Sequence, residues 1–142
     1  MRIKDVLRRK GSAVVTVGPQ ATVRELLSLL AEHGVGALVV SGDGTAIEGI
    51  VSERDVVRHL HARGTAVLDA PVADIMTGDV TTCAPEDDGV AVLQVMTDLR
   101  ARHVPVLVDG GLGGIVSIGD LVKHRIDELQ VERDELVGYL NS

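Results

Sequence analysis

The sequence predicts an α+β fold, within the broad α/β class, built from two copies of one β-α-β-β-α unit with a helical C-terminal extension. Three observations carry this. The phrase GIVSERD at 49–55 returns 65 positions later as GIVSIGD at 114–120. Upstream, Pro19, Gln20, Ala21 and Thr22 align with Pro85, Glu86, Asp87 and Asp88 at an offset of 66, which also sets Leu27 on Leu93 and Leu30 on Met96. Within each copy, β-prone runs and runs of helical period alternate in the same order.

Taken in chain order, KDVL at 4–7 resembles ADIM at 73–76, so even the lead-in segment recurs. VVTV (14–17) and VTTC (80–83) are short β-prone runs, each closed by a proline two residues on. Thr22 opens T-V-R-E, in which its hydroxyl caps a first-turn N–H while Glu25 reaches back to the cap residue. Val23, Leu26, Leu27 and Leu30 follow at helical spacing, and Asp88 takes the capping role before Val92, Leu93, Val95 and Met96. ALVV (37–40) and VPVLV (104–108) precede turn-formers, SGDGT and DGG, and GIV follows in both copies, which predicts two β-hairpins. A second helix then starts at Ser52 and at Ser117. In the C-terminal segment Val122, Leu129 and Leu136 lie seven apart, with Ile126 and Leu140 on the same seam and Arg133 interrupting it. Two and a half heptads fall short of a coiled coil and leave two alternatives, a helix folded back on its own domain or one used in self-association. The boundaries that follow are unit 1 at 3–60, a linker at 61–72, unit 2 at 73–126 and a helical extension at 127–142.

Composition excludes several functions. Hydrophobic residues make up 45% of 142, enough for a sizeable core. With no Phe, no Trp and one Tyr, a bound base would have to rest on aliphatic side chains. Fourteen basic against 21 acidic residues give a formal charge of −7, which repels a phosphodiester backbone and argues against nucleic acid as a partner. No apolar run approaches a membrane span, no signal core follows Met1, and Cys83 is unpaired, so a cytoplasmic protein without membrane contact is expected. Cys83 aligns with Val17 and reads as a small buried hydrophobe. His59 and His61, two apart on a helix, point about 200° apart and make a poor metal pair. His33 and His124 read as helix-surface residues. No Ser, His and acid set recurs as a nucleophilic triad would, so neither catalysis nor a metal is expected.

The repeated S-x-x-D supports two compatible readings. It is a capping box with Asp in place of Glu or Gln. It also sets Ser52 and Ser117 at helix starts, where anions are favoured, and offers at Asp55 and Asp120 a carboxylate suited to the vicinal hydroxyls of ribose.

Over residues 3–126 the chain resembles the tandem cystathionine-β-synthase (CBS) domain pair, on the strength of the duplication, of A-R-H-V-P-V at 101–106 and of one G-h-h-S-x-x-D phrase per half, where h is apolar. The resemblance implies a pseudo-twofold pair with two clefts between the units for adenosine-containing ligands: AMP, ADP, ATP, NAD or S-adenosylmethionine. It implies ribose contacts at Asp55 and Asp120, and phosphate or helix-start contacts at Ser52, Arg54, Ser117, Arg102 and His103. It implies nucleoside contacts along strands and hairpins at Thr16, Ala37, Val39, Ile50, Thr82, Val104, Pro105 and Ile115. Arg54 also reads as a solvated charge, and Thr16 and Thr82 as surface residues of β-prone segments. Gly119 stands opposite Arg54, so the clefts are chemically unequal. A regulatory role, a homodimer formed through helices and an unnamed protein target follow by resemblance. The alternative is a dimeric scaffold with vestigial clefts.

Overall fold

The computed structural model describes residues 1–141. Its elements are α1 (Ile3–Lys10), β1 (Thr16–Val17), α2 (Val23–His33), β2 (Ala37–Val40), β3 (Gly49–Ser52), α3 (Glu53–Arg63), two 3₁₀ turns (Gly64–Asp69 and Val72–Asp74), α4 (Gly89–Leu99), β4 (His103–Val108), β5 (Gly111–Ser117) and α5 (Ile118–Leu140). Ser142, last residue of the expected extension, lies outside the described residues. Among them, no helix is long and apolar enough to cross a membrane.

Local sequence sets the helix starts. Thr22 Oγ1 accepts the Glu25 N–H at 3.1 Å while Glu25 Oε2 accepts the Thr22 N–H at 3.1 Å, the reciprocal box its sequence predicts. Asp88 accepts the Ala91 N–H at 3.1 Å and starts α4. Gly34, left-handed at φ 62°, closes α2.

In the first half β1 runs parallel to β2, with Val17 opposite Val40, and β2 pairs antiparallel with β3. In the second half β4 and β5 form the corresponding hairpin, with a register shift between Val106 and Leu107. The strand expected at 80–83 does not form. Only Cys83 bridges Val106, donating its N–H to Pro105 O at 3.0 Å and accepting the Leu107 N–H at 2.8 Å. This bridge is the counterpart, 66 residues on, of Val17 with Val40. Extending the parallel ladder by one more bond would require residue 105 to donate to the carbonyl of Thr81. Pro105 has no N–H, so the ladder stops there.

Packing exchanges the lead-in segments. The first core joins Val17, Val23, Leu26, Leu30, Leu38, Val40, Val51 and Val56 to Val67, Val72 and Ile75 from further along the chain. The second joins Cys83, Val92, Met96, Val104, Val106, Val116 and Leu121 to Ile3, Val6 and Leu7 of α1. Ile3 and Val6 are thus the counterparts, 69 residues earlier, of Val72 and Ile75, and each set packs in the other half. Because each such residue, fully buried, contributes roughly 1.5–3 kcal/mol, the exchange ties the halves together. It also explains the first letter of the repeated phrase. A Cβ on Gly49 would lie 2.6 Å from Met76 Sδ and 2.9 Å from Thr77 O, and one on Gly114 would lie 2.8 Å from Leu7 Cδ2. Burial in the second core pushes the Cys83 thiol up to about 12, where it stays protonated and inert.

α5 does not fold back. It runs unbroken through Leu140, and Leu121 is its buried residue among those described. Ile126, Leu129, Leu136 and Leu140 are all exposed, the last at 71%. Two ion pairs tie its middle to the N-terminal segment: Arg9 with Asp127 at 3.1 Å, and the terminal amine with Glu128 at 3.5 Å.

Candidate functional site

Both S-x-x-D turns close the junction of a hairpin with a helix, and both form a capping box. Asp55 Oδ2 accepts the Ser52 N–H at 2.8 Å and the Ser52 hydroxyl at 3.0 Å, while Ser52 Oγ accepts the Asp55 N–H at 3.3 Å. Asp120 Oδ2 accepts the Ser117 N–H at 2.9 Å, and Ser117 Oγ accepts the Asp120 N–H at 3.1 Å. The box therefore engages one oxygen of each carboxylate. The other, Oδ1, makes no hydrogen bond among the described residues. Asp55 is 9% exposed and the Asp120 side chain 27%, so neither is turned out into bulk water.

Strand alternation sorts the residues expected on the hairpins. Leu38, Val40 and Val51 face the first core, and Val104, Val106 and Val116 the second. Ala37, Val39 and Ile50 lie on the opposite face of their hairpin, as do His103, Pro105 and Ile115 on theirs. The side chains of Val104, Val39 and Ala37 are all buried, at 1%, 0% and 5% exposure, that of Val104 within the second core. Thr16 and Thr82 are half-buried beside the parallel bridges. Arg54 lies on an open face of α3 with Val57, Arg58 and His61.

The two halves meet at the hairpin starts. Glu53 donates its N–H to Gly36 O at 3.0 Å, and Ile118 donates to Arg102 O at 2.9 Å, equivalent bonds in the two units. A Cβ on Gly36 would lie 3.3 Å from Glu53 Oε1 and 3.6 Å from His103 Cε1, so Glu53 of one half and His103 of the other share this spot. Burial, and then the charges of Lys10 and Arg102, hold the His103 imidazole below its ordinary value against the opposing pull of Asp120 and Glu53. A depressed histidine leaves the unfolded chain binding the extra proton first, so stability should fall as pH drops below about 6.5. We expect the melting temperature to decline from pH 7 to pH 5 and His103→Gln to flatten that decline; an unchanged slope would refute the assignment.

Lys10, which sequence reasoning did not single out, completes the second site. Its ammonium donates to Asp120 Oδ2 at 2.5 Å and to Ile115 O at 2.8 Å. Burial pushes the Asp120 carboxyl up, but the bonds from Lys10 and Ser117 outweigh it and hold the group below its usual range. Arg9, Lys10, Lys123 and His124 line a cleft of about 300 Å³ between α1 and α5, with Asp120 and Asp127 as its acids. In the repeat Lys10 aligns, 69 residues earlier, with Asp79, and nothing local to it points to Asp120.

A β-α-β-β-α unit and its repeat, whose first strand is reduced to a single bridge, are joined through exchanged lead-in segments. Each bears one capped carboxylate at its hairpin-helix junction, and together they define a tandem pair of small α+β domains. The CBS domain family matches residues 3–62 and 72–127, and the chain belongs to that family, whose members are generally regulatory and non-catalytic. It is 36% identical over 97% of its length to the mitochondrial CBS domain-containing protein CBSX3 of Arabidopsis thaliana, covering 71% of that protein. Among solved structures it resembles the CBS-domain containing protein ATU1752 of Agrobacterium tumefaciens, at 42% identity and TM-score 0.85, over 88% of this chain and 99% of that one. The CBS domain pair of protein MJ0100, solved in complex with 5′-methylthioadenosine and S-adenosyl-L-methionine, shares the fold at 21% identity and TM-score 0.79, over 90% of this chain and 98% of that one.

Proposed function

We propose that this CBS pair is a regulatory module without catalysis that binds an adenosine-containing ligand (AMP, ADP, ATP, NAD or S-adenosylmethionine) at its S-x-x-D turns. Binding then biases the relative placement of the halves or the assembly of the chain, which requires that the ligand prefer one state. One observation carries the reading. At Asp120 an acceptor carboxylate shares a cleft with Arg9, Lys10 and Lys123, which sets a partner for a ribose diol beside partners for phosphate. The adenosine ligands in the structure of the MJ0100 pair support it. Titration calorimetry with the five ligands should give saturable heat with at least one. At a hundredfold excess over Kd that ligand adds about 2.7 kcal/mol, several degrees of melting temperature. No heat and no thermal shift with any of them would overturn the proposal.

The exposed seam of α5 supports assembly as part of the reading. Ile126, Leu129, Leu136 and Leu140 form an apolar stripe that a second copy of the chain would cover. We expect the protein to run at twice its chain mass in light scattering and Leu129→Glu with Leu136→Glu to run as a monomer. A wild-type monomer at tens of micromolar would contradict this.

A further inference from the structure

The two turns carry the same cap but differ by one cation. At the first, the lead-in segment reaches β3 by backbone: Thr77 N–H donates to Ile50 O at 2.9 Å, and Ile50 N–H to Thr77 O at 3.0 Å. At the second, the carbonyl of Ile115, counterpart of Ile50, instead accepts from the side chain of Lys10, which also holds Asp120. The residue aligned with Lys10 is Asp79, and among the described residues no cation pairs with Asp55, so the first carboxylate has only its own Ser52.

We infer that Lys10 makes the Asp120 cleft selective for anionic over neutral adenosine ligands. This rests on the nucleotide reading above. A neutral nucleoside at Asp120 has to compete with an ammonium already seated on the carboxylate. A ligand bearing a phosphate offers that ammonium a second anion within the same cleft, where Arg9 and Lys123 add to the attraction. Arg9 is fixed to Asp127, and that pair holds the end of α1 so that Lys10 stays in reach.

The test uses the full chain carrying Asp55→Asn, so that the second cleft is read alone, titrated with AMP and with adenosine. AMP should bind at least about tenfold more tightly than adenosine, the scale of one charge-assisted contact. Adding Lys10→Met should weaken AMP, strengthen adenosine and bring the two within about threefold, while Lys10→Arg should keep the preference. Should Lys10→Met fail to fold, Lys10→Gln, which keeps a polar side chain and removes the charge, decides instead: it should bring the AMP and adenosine affinities of Asp55→Asn together. Equal affinities in Asp55→Asn, or a ratio that Lys10→Met leaves unmoved, would overturn the inference and leave the nucleotide reading standing. Wild-type protein that binds neither compound would remove both.

Discussion

Asp55→Ala combined with Asp120→Ala is expected to abolish adenosine-ligand binding, by a hundredfold or more, in a protein that still folds. Each carboxylate offers the diol charged acceptors, and hydrogen bonds to charged groups contribute roughly 1.5–3 kcal/mol each. Each also closes a capping box, so its removal costs about 0.5–2 kcal/mol of stability. Two such losses stay within the roughly 5–15 kcal/mol of a typical domain. The cap and the ligand roles separate through a control: Ser52→Ala with Ser117→Ala removes the hydroxyl caps and keeps both carboxylates. It should lower the melting temperature by a comparable amount and still bind adenosine nearly as wild type, any phosphate contact of the two hydroxyls being lost only with AMP. If the serine pair loses binding as completely as the aspartate pair, the carboxylates matter only as helix caps, and the ribose assignment fails.

Gly49→Ala is expected to destabilise the chain by about 1–3 kcal/mol through overpacking. Its Cβ would meet Met76 Sδ at 2.6 Å, which a flexible side chain relieves, and Thr77 O at 2.9 Å, which it does not. That carbonyl is fixed by the Ile50 N–H at 3.0 Å, so relief means prising the exchanged segment off β3. Gly114→Ala meets only the end of Leu7 and should cost less. Urea unfolding of both variants checks the order. Equal losses would mean that the backbone contact at Thr77 is not what excludes a side chain at Gly49.

Much of this fold was legible because the duplication supplies every element twice and each helix start is written in its own residues: Thr22 with Glu25, Asp88, Ser52 with Asp55, Ser117 with Asp120. What escaped is non-local. KDVL and ADIM have the same apolar spacing, so either would fit either core, and nothing local says that they trade places. The failed strand at 80–83 depends on Pro105, a residue of its partner rather than its own. The resemblance groups Val104 with His103 and Pro105, but it does not say that alternation along β4 turns the Val104 side chain to the opposite face. Lys10 became visible only once α1 was seated on the second half, more than a hundred residues from Asp120 in sequence. The site was therefore legible where its chemistry is local to a turn, and illegible where it is assembled by exchange.

The central claim is that the oxygens left over from the two capping boxes hold a sugar diol. The most direct measurement is a crystal structure of the wild-type protein soaked with AMP at saturating concentration. The ribose hydroxyls should lie within hydrogen-bond distance of Asp120, with the Lys10 ammonium drawn toward the phosphate. Nucleotide seated elsewhere on the molecule, with Asp120 still held only by Lys10 and Ser117, would mean that the carboxylate does not bind ribose.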